Sequence, residues 1–272
     1  MNWLRSPASD TQITHGSRLW LYVFAILVLV FLVLPTLIVI PMSFSASQYL
    51  EFPPRQFSLR WYQSYFESRS WMQATVTSFQ AGALTVIVAT PLGTIAAYGL
   101  YNAQLTIARL VSLLLITPIV IPIILVGTAI FYAYVKLNIV NSLFGIVLAH
   151  SILAIPIVIM IITSALKSFD MNQERVARSL GASRIKAFFL VVMPQIKFAV
   201  LTSAVLSFLT SFDEVIVSMF VSGGNNSTLT RNMFAALRDQ IDPTIAAIST
   251  IMIVVTTLLL GLAQFFGRSA KR

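Results

Sequence analysis

Apolar positions along the chain fall into six long blocks, residues 19–40, 74–100, 107–135, 143–166, 198–221 and 244–266, with polar stretches between them. Each is near the ~20 residues that an α-helix needs to cross the hydrocarbon of a bilayer. A helix closes its backbone hydrogen bonds within one segment, so the pattern predicts six transmembrane helices and an all-α membrane protein. The first block exceeds the ~7 to 15 apolar residues of a signal-peptide core, and is read as a retained span although the small residues "SFSAS" follow it. The expected organisation is a cytoplasmic tail (1–18), a first span (19–41), an extracytoplasmic segment (42–72), a five-helix core (73–267) with a cytoplasmic loop at 167–197, and a second tail (268–272).

Composition agrees with lipid as the solvent: 57% of the 272 residues are hydrophobic and 10% charged. No internal repeat, low-complexity tract or soluble domain is visible. A net charge of +9 would suggest nucleic acid in a water-soluble chain. Here Lys and Arg left in cytoplasmic loops account for it, and no nucleic-acid partner is expected. Without cysteine there is no disulfide, thiol nucleophile or cysteine metal site. His15 and His150 stand alone and read as a tail residue and a helix-packing residue, so no metal and no cofactor is expected.

Charge also orients the chain. With a cytoplasmic N-terminus, the inside holds Arg5, Arg18, Arg109, the bases of 167–197, Arg268, Lys271 and Arg272; the outside keeps Arg55, Arg60, Arg69, Lys136, Arg231 and Arg238. That twofold bias puts both ends in the cytoplasm. The outer stretch "QYLEFPPRQFSLRWYQSYFESRSW" mixes Tyr49, Trp61, Tyr62, Tyr65 and Trp71 with charges, as an interfacial belt or a docking surface would.

Polar and helix-breaking residues inside the apolar blocks are candidates for function. Pro118, Pro122 and Pro156 each remove a helical N–H and should kink their helices, either for packing or to line a pathway. Asp213 and Glu214 lie about 15 residues into the fifth block, roughly 22 Å along a helix rising 1.5 Å per residue. A carboxylate costs ~2.5 to 3.5 kcal/mol in hydrocarbon, so both should face protein or water near an outer gate. Direct contact with solute and an interhelical bond both fit.

The loop "FDMNQERVARSLGASRIKAFFLVVMPQIK" gathers two acids and five bases between apolar blocks. Asp170 can cap a helix with Gln173 at the capping-box position, and Gly181 supplies a left-handed stop. At 100° per residue Val176, Ala177 and Leu180 share one face, and Glu174, Arg175 and Arg178 the other. After the glycine, Ser183 can cap a second helix leading to the fifth block. A docking peg and an amphipathic loop on anionic lipid are both consistent with this.

This stretch resembles the EAA loop of integral-membrane subunits of binding-protein-dependent ABC importers: Glu-Ala-Ala, a Gly four residues on, then Ile-x-Leu-Pro. Its places are held here by Arg175, Val176, Ala177, Gly181, Val191, Met193 and Pro194. The acid departs from the pattern, because Glu174 comes one residue early. "FPPRQFSLRWYQSYF" and "SFDEVIVSMFVSGGNNSTLTRNMFAALRDQIDPTIAAIST" are similar to polyamine (spermidine/putrescine) permeases, with Thr230 where relatives show Pro.

The resemblance implies a type I ABC importer permease fold in a bacterial inner membrane, and a coupling helix that inserts into an ATPase. The coupling residues would be Glu174, Arg175, Val176, Ala177, Arg178, Leu180, Gly181, Ala182, Ser183 and Pro194. The implied partners are a second permease, two cytoplasmic ATPase subunits and an extracytoplasmic solute-binding protein, alongside membrane lipid. The solute would be a polyamine, or alternatively an opine, aminoethylphosphonate or other small organic solute. A G-x-x-x-x-G-K-[ST] loop is absent, so ATP hydrolysis is expected in a separate subunit and the chain is not expected to be an enzyme. A secondary transporter would want an inverted repeat, and a hydrolase a G-x-S-x-G or H-E-x-x-H motif; neither is present.

Overall fold

A computed structural model describes residues 14–103, 106–239 and 242–268. The described residues are helical apart from turns, loops and an isolated antiparallel bridge between Ser45 and Phe57. They divide into two units, one of residues 14–64 and 242–251, the other of 65–239 and 252–268.

The first unit begins with α1 (Leu19–Ser43), an all-round apolar helix containing Pro35 and Pro41. Nothing in its most apolar stretch is buried within the chain, as expected of a surface made for lipid or another apolar helix. The segment after it is ordered by polar bonds. Ser43 Oγ meets Tyr62 Oη at 2.7 Å, Trp61 Nε1 donates to the Ser47 carbonyl at 3.1 Å, and Arg60 donates to the Ala46 carbonyl at 3.0 Å while lying 4.4 Å from the Trp61 ring. These bonds fold the aromatic stretch back on the end of α1 and leave Tyr49 and Phe57 three-quarters exposed. A short helix, α2 (Arg60–Glu67), carries the chain onward.

The core of the second unit is built on α3 (Arg69–Ala103), which starts before the expected boundary at residue 73. Its buried face is small: Ala74, Ala81, Ala89 and Ala97 alternate with Thr, Ser and Gly at helical spacing. Helix association in lipid depends on such close packing, since lipid tails are as apolar as leucine. Gly93 shows how close it is, because a Cβ there would lie 2.6 Å from Val158. Val158 belongs to α6, and α3 and α6 make the most extensive helix contact of the unit.

The third apolar block is broken more sharply than a kinked helix. It forms α4 (Thr106–Val120) and α5 (Ile123–Leu137), bent by 103° at the break. Pro118 stays within α4, whereas Pro122 sits outside both helices in extended backbone and precedes the first turn of α5. A proline there has no N–H to continue α4, and its fixed φ suits a helix start. Left-handed Asn138 and Asn141 turn the chain into α6 (Leu143–Ser168), where Ser142 caps the Gly145 N–H at 3.0 Å. Pro156 lies buried inside α6, which continues through it unbroken.

The 167–197 loop holds α7 (Asn172–Ser179), α8 (Arg184–Ala187) and a π turn (Phe188–Val192), and ends within the first turns of α9 (Met193–Phe212). The fifth block is also broken, because α9 stops at Phe212 and α10 (Ile216–Val221) starts three residues beyond Asp213. Then follow α11 (Leu229–Asp239) and α12 (Thr244–Arg268). Among the described residues four helical spans are long and apolar enough to cross a membrane, and the count is five if the bent α4–α5 pair is one span. The sixth block is helical as α12, with its apolar part described over 244–258.

Candidate functional site

The 167–197 loop forms a helix, a glycine turn and a second helix. Asp170 accepts the Asn172 N–H at 3.0 Å with its side chain, an N-cap bond at the entrance to α7, where Met171 already has helical backbone. Gln173 reaches across the loop to the Gln195 side chain instead of back to the N-terminus. Gly181 holds φ +94°, and Ser183 accepts the Lys186 N–H at 3.3 Å. The π turn follows, in which Met193 N–H bonds the carbonyl five residues back, at Phe188. The wider turn comes immediately before Pro194, where the α-helical ladder would lose a donor in any case.

The faces of α7 are arranged unlike a helix lying on its own protein. Glu174 is 3% exposed, whereas Val176 is 57% and Leu180 84% exposed. Ala177 is half-buried, and Arg175 and Arg178 are exposed. Tyr98, near the C-terminal end of α3, donates its hydroxyl to Glu174 Oε1 at 2.7 Å. The Tyr98 ring lies 4.6 Å from that of Phe188 in the π turn, and the Arg184 guanidinium stands 5.5 Å from its centre. One tyrosine therefore ties α7, α8 and the π turn to a core helix. Nothing in its local sequence marks Tyr98 for this role; only the fold brings it there.

At the other cluster, Asp213 and Glu214 occupy the gap between α9 and α10. Glu214 is buried, and its Oε1 accepts the Val217 N–H at 2.8 Å, a cap for α10. Its own carbonyl accepts the Thr230 hydroxyl at 3.0 Å. Asp213 is exposed. His150, fully buried on α6, spans the break: one ring nitrogen lies 2.7 Å from Ser211 Oγ on α9 and the other 3.0 Å from Ser218 Oγ on α10. Thr85 of α3 donates to Ser211 at 3.3 Å. The packing role expected of His150 thus has a specific content, and a titratable residue in an apolar block was the available signal. Pro118 and Pro122 belong to a separate break, between α4 and α5, and α5 packs against α10 through Val126 and Val217.

Comparisons with known proteins follow the same lines. Residues 89–272 match the family described as binding-protein-dependent transport system inner membrane component. The spermidine/putrescine transport system permease protein PotC of Haemophilus influenzae is 29% identical over 245 residues, covering 90% of this chain and 95% of that protein. The putrescine transport system permease protein PotI of Escherichia coli K12 is 28% identical over 264 residues, covering 93% and 92%. Among solved structures, a bacterial ABC transporter involved in import of the acidic polysaccharide alginate has a subunit that aligns with TM-score 0.76 at 14% identity, over 93% of this chain and 98% of that one. That likeness speaks to the fold. With two-thirds of its length matched, the chain belongs to the inner-membrane permease family of binding-protein-dependent ABC importers.

Proposed function

We propose that this chain forms the solute pathway of an ATP-driven importer of a small charged nutrient, with a polyamine such as putrescine or spermidine as solute. The similarity to polyamine permeases along most of the chain supports the solute. A second permease subunit completes the pathway, two cytoplasmic ATPases drive it, and an extracytoplasmic binding protein delivers the solute.

The observation that carries the coupling is the orientation of α7, which tucks its acid against the protein and turns Val176 and Leu180 outward. An exposed apolar edge beside Arg175 and Arg178 suits a cleft in a partner protein. Closure of the ATPases on nucleotide would push on α7, and the Tyr98–Glu174 contact would carry that displacement to α3, giving alternating access.

The test is reconstitution of the complex in proteoliposomes with labelled putrescine and spermidine, in competition with an opine and aminoethylphosphonate. ATP-dependent polyamine uptake that requires the binding protein is expected. ATP-driven uptake of a competitor alone overturns the solute, and uptake driven by a proton gradient without ATP overturns the importer reading.

A further inference from the structure

The second unit carries a polar pocket of about 580 Å³ between the start of α3 and the segment running from the Gly224–Asn226 turn into α11. Arg69, Gln73, Asn225, Ser227, Arg231 and Asn232 line it, and none of its lining residues is an acid. In the orientation proposed above, it opens on the extracytoplasmic side.

The pocket is held in shape by its own bonds. Gln73 Nε2 donates to the Asn225 carbonyl at 2.9 Å, which fixes the turn against α3. Ser227, itself buried, accepts from Arg231 Nη1 at 3.1 Å and donates to Asn232. The half-buried Arg231 is thereby oriented with its other guanidinium N–H groups still available. Arg69 is exposed and has no side-chain partner among the described residues. Two guanidinium groups in a lining that contains no acid, within a cradle of amides and hydroxyls, fit an anionic group and above all a planar carboxylate.

We propose that this pocket receives an Asp or Glu side chain of the extracytoplasmic binding protein when it docks; the proposal rests on the importer reading. Three candidates compete for it, and chemistry favours this one. A cationic solute would be repelled by both arginines. A phospholipid would need an apolar wall for its acyl chains beside the phosphate site, and here Ala74 is the one apolar side chain in the lining. A protein carboxylate needs only the charge and the polar cradle. Charge pairs at such a rim steer encounter and fix register more than they add affinity.

The experiment uses the assembled complex in nanodiscs, with ATP hydrolysis followed against concentration of the solute-loaded binding protein encoded with it. Arg69→Glu and Arg231→Glu should each raise the half-saturating concentration on the order of tenfold, with the rate at saturation retained. Arg231→Lys keeps the charge and should recover most of the loss. Arg69→Gln touches no observed bond, so its effect is free of folding damage. Restoration of Arg69→Glu by an Asp or Glu→Arg change at the facing surface of the binding protein would assign the pair.

An unchanged half-saturating concentration in both Glu variants overturns the proposal. So does an effect that appears in phosphatidylglycerol nanodiscs and vanishes in phosphatidylcholine, which would assign the pocket to lipid. If the parental complex shows no stimulation by any binding protein, the importer reading itself falls, a result distinct from loss confined to the arginine variants.

Discussion

At the scale of single residues, the break in the fifth apolar block assigns different tasks to neighbouring polar groups. Glu214 spends its carboxylate on the Val217 N–H, so Asp213 is the acid left open. If the solute is a cation, Asp213→Asn should lower polyamine uptake several-fold while Asp213→Glu, which keeps the charge, lowers it less. Equal uptake by all three proteins, at equal expression, would remove the charge argument. His150 supplies a stability test. His150→Leu removes the ring partner of both Ser211 and Ser218, leaving Ser211 the Thr85 hydroxyl, and should cost about 1 to 3 kcal/mol, read as a lower melting temperature in detergent. An unchanged melting temperature would show that the ring bonds contribute nothing net. The sequence marked His150 only as polar in an apolar block. Its partners lie 61 and 68 residues away, and local periodicity carries no information about them.

At the scale of elements, the proposed docking helix depends on one backbone turn and one side-chain contact. Gly181 has open space where a side chain would go, so a substitution there meets backbone strain and no clash. At φ +94° Gly181→Val should cost on the order of 1 kcal/mol or more, and Asn, which tolerates left-handed backbone, less. Uptake should therefore fall in the order Gly, Asn, Val with the protein still inserted. A Val variant that co-purifies with its full ATPase and hydrolyses ATP normally on solute addition would refute the role. Tyr98→Phe leaves buried Glu174 without the hydroxyl it accepts and should weaken solute-stimulated hydrolysis more than basal hydrolysis. Equal loss of both would make the contact merely structural. Legibility differs sharply within this one loop. The glycine turn and the Ser183 cap follow from residue type and were readable. The inward turn of Glu174 was not, because one position along a helix rotates a side chain by 100° and only packing against α3 chooses the face. The π turn and the 103° break at Pro122 were hidden likewise, since proline announces a lost donor but not the angle that results.

At the scale of the whole molecule, the distribution of basic residues both orients the chain and shows where it carries charge against that bias. In the expected topology twelve of the 18 Lys and Arg are inside and six outside. Arg69 and Arg231 are among the outer six, so they weaken the bias that inserts the chain. Their removal should leave orientation untouched, since the inner excess only grows; what it should change is the outer pocket. A reporter active only outside the cytoplasm should therefore work when fused after Ser58 or Gly224 and stay silent after Gly181 or Arg272, in the parental chain and in Arg69→Gln/Arg231→Gln alike. Moving four of the loop bases outward is the opposing arm, because it erases the excess and should produce mixed orientations. Activity of the reporter after Gly181 in the parental chain would place the peg on the wrong side for any cytoplasmic ATPase, and would overturn the orientation together with the coupling that depends on it.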